Sequence, residues 1–219
     1  MLLSLGFWQL ERAEQKRVIL EKQQLLINEG ELALNARTPD DLALLKYRPV
    51  QVTGQYEAEH QFLIDNQHVN GRVGYLVLTP FHLTGTDKAV LVNRGWLPLN
   101  VNRAVLPALP VNTAKVTIKG RVNSFPSVGL KLAGTEIPTK TWPAVVQVAE
   151  SDALAKALGY PLFSFQIELD PTMSDGFLRV WQAAAVMPPE KHVAYAVQWF
   201  GLAITFTVLF FWYHYKKAN

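Results

Sequence analysis

The chain has 219 residues, a formal net charge of +3 and no cysteine. The missing thiols exclude disulfides, thiolate metal sites, cysteine nucleophiles and c-type haem attachment, and the small, scattered positive excess forms no basic stripe of the kind that grips nucleic acid. Hydrophobic residues make up 49%, which suits one soluble domain joined to one or two membrane spans rather than a polytopic bundle.

Residues 1–8 read MLLSLGFW, apolar but short. Eight to ten helical residues rise only about 12–15 Å, half the depth of a bilayer's hydrocarbon core. The stretch lacks a basic leading region and a small-residue cleavage site, so it does not read as a signal peptide. It is either the outer half of a first transmembrane helix whose start lies outside this chain, or an interfacial anchor. Residues 9–28, QLERAEQKRVILEKQQLLIN, are rich in good helix formers and predict a helix continuing into water until Gly30 ends it. Thr38, Pro39, Asp40 and Asp41 then predict a short helix, with Thr as N-cap, Pro at the first position and acids in the first turn.

From Arg48 the texture changes. RPVQVTGQY, HQFLID, YLVLTPFHL, AVLVNRGWL and AKVTIKGRV are short runs of β-branched and aromatic residues separated by Gly, Asn, Asp and Pro. Asn70-Gly71 and Gly85-Thr86-Asp87 are turn signals between such runs. The gaps are too short for helical crossovers, so these strands are expected to pair antiparallel. Residues 101–110 read as a loop, and 124–143 as the most irregular stretch. ESDALAKAL, 150–158, predicts a helix closed by Gly159; LFSFQIELD and FLRVWQAAAV predict the last two strands. The expected fold is α+β, a curled or barrel-like antiparallel sheet of about seven strands with short peripheral helices.

Residues 193–213, VAYAVQWFGLAITFTVLFFWY, carry no charge and cover a bilayer core as a helix. Pro188 and Pro189 precede them, and Trp212 and Tyr213 form an aromatic belt before Lys216 and Lys217. Those lysines favour a cytoplasmic C-terminus, which puts the preceding domain on the outer side.

No enzyme motif is present: no phosphate-binding loop, G-x-G-x-x-G, G-x-S-x-G or H-E-x-x-H. Asp40 and Asp41 are explained by a helix dipole, and Asp65, Asp87 and Asp175 by turns. His60, His68 and His82 fall among the strands with no ligand pair at helical spacing, and read as structural or solvent-facing; His214 flanks the span. His192 stands at the outer mouth of the span. On a helix Tyr195, Ala196, Trp199, Ala203 and Phe206 share its face. That stripe of one imidazole, two small residues and flat rings suits a haem edge, a partner helix, or a plain interfacial histidine with an aromatic belt.

Four ordered blocks resemble a family. PEKHVAYAVQWFGLA resembles the second transmembrane helix of the surfeit-locus-one (Surf-one) family of cytochrome c oxidase assembly factors. LGFWQLERAEQK is similar to its Gly-x-Trp-Gln-x-x-Arg-x-x-x-Lys signature, here Gly6, Trp8, Gln9, Arg12 and Lys16. YRPVQVTGQY resembles its first strand, with Arg48, Pro49 and Gly54, and GYLVLTPF and VLVNRGWLP its central strands, with Thr79, Pro80, Phe81, Asn93, Arg94, Gly95, Trp96 and Pro98. The sequence departs at Glu190, where the family usually has Asn, and before Trp142, where its Asn-x-Pro turn is not evident.

The resemblance implies two transmembrane helices with both ends on the cytoplasmic or matrix side and one domain on the outer side. The division expected is a helix remnant at 1–10, an extracytoplasmic domain at 11–190, a second transmembrane helix with flanks at 191–215 and a tail at 216–219. It implies a role without turnover, delivering or protecting haem a while oxidase subunit I matures. His192 is then the axial haem ligand, with Trp199 and Tyr195 packing beside it. Asn93, Arg94, Gly95 and Trp96 are a candidate loop for docking the oxidase, and Arg94 alternatively a partner for haem propionates. Implied partners are oxidase subunit I, other oxidase assembly factors, haem a synthase as a further candidate, and the lipid bilayer. The lack of a transit peptide and of the mid-domain insertion of mitochondrial members points to a bacterial inner membrane. The rival expectation is a scaffold that stabilises oxidase subunits without touching haem.

Overall fold

In the computed structural model of the protein the described residues are 1–34, 40–126, 133–181 and 187–218. In chain order they form α1 (Leu2–Asn28), β1 (Leu32–Ala33), α2 (Leu42–Leu45), β2 (Pro49–Tyr56), β3 (Phe62–Val69), β4 (Arg72–Leu83), β5 (Ala89–Pro98), β6 (Val116–Asn123), β7 (Ala144–Val146), α3 (Ser151–Leu158), β8 (Leu162–Leu169) and α4 (Pro189–Ala218). They fall into two compact units, one of Leu26–Trp181 and one of Met1–Leu25 with Gln182–Asn219.

Within Leu26–Trp181 the sheet order is β1-β2-β6-β8-β5-β4-β3-β7, and a β2–β4 pairing closes β2, β6, β8, β5 and β4 into a barrel. Closure happens at Gly54, which faces Val116 on β6 and Leu83 on β4. A Cβ there would sit 2.0 Å from the His82 carbonyl oxygen, so the strands could not approach with any side chain present. The other strands follow their sequence signals. β2 alternates buried and exposed residues, as a barrel wall wet on one side requires. The β3–β4 hairpin turns at Asn70 and Gly71, with φ of 51° and 74°, the left-handed pair of a type I′ turn. α3 is closed by Gly159 in the left-handed conformation, its N–H donating to the Ala155 carbonyl.

β5 has no wet face. Val90 and Val92 point into the barrel with Val52, Phe81, Ile118 and Phe165, while Ala89 and Leu91 point into a second cluster with Phe62, Ile64, Leu78 and Leu154. The strand therefore divides two cores, and its residues are buried from Ala89 to Trp96.

The five runs expected to pair antiparallel, β2 to β6, do so. Three further pairings, β1–β2, β3–β7 and β5–β8, are parallel. The short-gap argument covers only consecutive strands, and these parallel neighbours are separated by intervening elements. Two strands, β1 and β7, escaped the sequence pattern because they are two and three residues long. The strand expected at 177–186 is not formed over 177–181, where only an isolated bridge joins Leu178 to Trp96; 182–186 lie outside the described residues. α2 is capped by Asp41, whose carboxylate accepts from Ala43 N–H, while Asp40 pairs with Lys88. The expected cap Thr38 and Pro39 lie outside the described residues, as do 127–132 of the irregular stretch.

Candidate functional site at the head of the membrane helix

α4 is the one helix among the described residues long and apolar enough to cross a bilayer, with a mean hydropathy of 1.7 over its most apolar window. Its length and composition are those of a membrane anchor. Its opening suits a helix start: Pro189 in the first turn, where its missing N–H costs nothing, and Glu190 against the helix dipole. His192 is therefore in the opening turn.

α1 packs antiparallel to α4 in the same unit. Their contacts run from Gly6 and Phe7 to Phe200 and from Gln9 to His192; Gly6, Gln9 and Ala13 share one face of α1, and His192, Ala196 and Phe200 one face of α4. Ala13 and Ala196 are both buried. A Cβ on Gly6 would lie 2.5 Å from the Phe200 ring, and Phe7 meets that ring edge-on at 5.4 Å. Small residues let the backbones of two helices approach closely. Among the described residues one side-chain hydrogen bond joins the two helices, at the head of α4: His192 Nδ1 lies 2.8 Å from Gln9 Oε1. A carboxamide oxygen can only accept, so this contact takes a proton from Nδ1, which in a neutral ring leaves the lone pair on Nε2.

Of the predicted stripe, Ala196 is buried, His192, Trp199 and Ala203 are half-buried, and Tyr195 and Phe206 are exposed. The residue sequence reasoning passed over is Gln9. It stood in the signature without a role, and no local signal pairs it with a histidine 183 positions away.

The four residues expected to dock a partner are corrected. Asn93, Arg94, Gly95 and Trp96 form no exposed loop; all are buried within β5. Gly95 has φ of +110°, and a Cβ there would sit 2.7 Å from the Leu178 carbonyl oxygen. That close approach lets Trp96 exchange backbone hydrogen bonds with Leu178 while Phe177 N–H donates to Arg94 O. Asn93 reaches Gln166, and the Trp96 indole N–H donates to Gln67 O.

Arg94 points into the mouth of the barrel and is 1% exposed. Nε donates to Asp175 O and Nη2 to Pro110 O, both at 2.5 Å, and Nη1 donates to Gln61 Oε1 at 3.0 Å. The Phe177 ring lies 4.9 Å from its guanidinium carbon and the Tyr56 ring 5.9 Å. Burial pulls its pKa down, and burial pushes that of Tyr56 up. The guanidinium fastens the 107–112 and 170–181 loops to the barrel.

A second cluster joins residues read separately from the sequence. Glu57 Oε2 accepts from His82 Nε2 and the Tyr160 hydroxyl, each at 2.6 Å, and Oε1 pairs with His60 Nδ1. Burial pushes the carboxyl up, but hydrogen bonds from Tyr160, His82 and His60 outweigh it and hold its pKa below the usual value. Among the described residues no group of three or more His, Asp or Glu is placed to hold a metal ion.

The sequence model described as the SURF1 family matches residues 1–204. The chain belongs to the SURF1 family. A SURF1-like protein of Rickettsia conorii is 30% identical over 220 residues, covering 96% of this chain and 85% of its own. One from Rickettsia felis is 28% identical, covering 96% and 90%. Surfeit locus protein 1 of Takifugu rubripes is 22% identical over 98% of this chain and 93% of its own. The SURF1 match takes in α1, the whole barrel unit and α4 as far as Ile204, so both His192 and Gln9 lie inside it.

Proposed function

We propose that this SURF1-family chain is a membrane-anchored assembly factor for haem–copper cytochrome c oxidase, and that it holds haem a for the maturation of subunit I. It performs no turnover. The barrel unit stands on the outer side of a bacterial inner membrane, and the C-terminus lies in the cytoplasm behind Lys216 and Lys217. The partners are oxidase subunit I and other assembly factors, with haem a synthase as a source of the cargo.

One observation carries the reading. The opening turn of the membrane anchor presents an imidazole with Nδ1 engaged and, among the described residues, no partner on Nε2. Haem a, when bound, supplies an iron that a neutral imidazole nitrogen ligates. The residues fit such a group. An imidazole is an uncharged donor when it ligates, and at the head of the membrane helix a long apolar tail can stay in the membrane. Ala203 is small, exposed Tyr195 offers a flat ring one turn from His192, and Trp199 lies a turn deeper. One protein ligand leaves the opposite side accessible, as transfer to a second protein demands.

The test is the ultraviolet–visible spectrum of the full-length protein purified in mild detergent from a host that makes haem a. The wild type is expected to carry haem a, and His192→Ala to lose most of it. An unchanged spectrum and stoichiometry in the variant would remove His192 as ligand. A colourless wild type that co-purifies oxidase subunits would leave a scaffold role instead.

A further inference from the structure

We propose that Gln9 is the positioning residue for His192: it holds the imidazole as its Nδ1–H tautomer and so assigns Nε2 as the nitrogen that faces iron. The inference rests on the haem reading but is carried by its own geometry. The Nδ1 to Oε1 separation of 2.8 Å is that of a good hydrogen bond. The carboxamide oxygen accepts, so the ring proton belongs on Nδ1. Metal-bound imidazoles commonly give their second N–H to such an acceptor, which sets ring orientation and raises ligand basicity.

The residue type suits the place. A leucine at this half-buried position would accept nothing from the ring. A carboxylate would accept, at the cost of bringing a charge to the lipid boundary. Glutamine accepts without charge and has the reach to cross between helices. Its height on α1 is set by packing: Gly6 lies one turn before it against Phe200, and Ala13 one turn after it is buried. The ligand is thus a composite of two helices. α4 supplies the nitrogen, and α1 decides which nitrogen it is.

Two measurements test this on the full-length protein in detergent. The first uses haem-free protein labelled with nitrogen-15 in its histidines, at alkaline pH, with His192 assigned by the signal that His192→Ala removes. The wild-type ring is expected as the Nδ1–H tautomer, and Gln9→Leu is expected to shift it toward the Nε2–H form. The second loads haem a and reads affinity and reduction potential. Gln9→Leu is expected to weaken binding about 10–100-fold, the usual effect of removing such a partner. Gln9→Glu is expected to restore binding with a lower potential, since a carboxylate makes the imidazole a stronger donor. An Nε2–H ring in the wild type, or Leu and Glu variants alike in both affinity and potential, would overturn the proposal. The tautomer result needs no haem. Haem retained in full by His192→Ala would sink the ligand reading while the nitrogen-15 spectrum still decided the Gln9 contact.

Discussion

A buried guanidinium with no carboxylate paired to it among the described residues makes a sharp prediction about substitution order. Arg94 donates to Asp175 O, Pro110 O and Gln61 Oε1, and it is 1% exposed. Hydrogen bonds from a charged donor contribute roughly 1.5–3 kcal/mol each, so three amount to about 5–9 kcal/mol gross. Burying the charge costs several kcal/mol, on the order of half that gain. Arg94→Met gives up the bonds, frees the protein from the buried charge and keeps most of the stem's packing against Phe177. The expected net loss is about 2–4 kcal/mol. Arg94→Lys keeps the charge, but one ammonium cannot satisfy three acceptors placed for a planar fork. Its expected cost is about 3–5 kcal/mol, so the conservative change is the worse one. The assay is urea unfolding of the full-length protein in detergent, followed by near-ultraviolet circular dichroism. A lysine variant as stable as wild type, or more stable than the methionine variant, would refute the reasoning.

Two further outcomes are expected. The Glu57 carboxyl has a folded pKa below its ordinary 4.5, so its contribution is fully present above that value and is lost as pH falls through the folded pKa. Glu57→Gln should therefore lower the melting temperature near neutral pH and flatten its decline in acid, read from melting curves across that range. Gly6→Leu should force the Phe200 ring aside, part Gln9 from His192 and weaken haem a binding as Gln9→Leu does; the unfolding midpoint of the barrel unit should stay unchanged.

Much of the backbone was legible from local pattern. The alternation in 48–56 gave a barrel wall, Asn70-Gly71 a hairpin and Gly159 a helix stop, because each is a property of a few neighbouring residues. The candidate site was half legible. His192 was marked by its place at the head of an apolar helix, whereas Gln9 stood in the signature with no role assigned, since its partner is 183 residues away. The stretch 93–96 misled for a related reason. Asn, Arg and Gly in sequence resemble a polar turn, and only the two cores flanking β5 show that these polar groups find their partners inside.

By itself, then, the sequence determined the long helices, the longer strands and their turns, since hydrophobic periodicity and turn chemistry act over a few residues; the two- and three-residue strands β1 and β7 left no such mark. Tertiary structure alone decided which strands run parallel, where the barrel closes and what each buried polar group touches. Glu57 meets partners 25 and 103 positions along the chain, and no periodicity reaches that far. Such contacts follow from how closely backbones approach, at Gly54 and Gly6 above all, and that is settled only when the whole chain has packed.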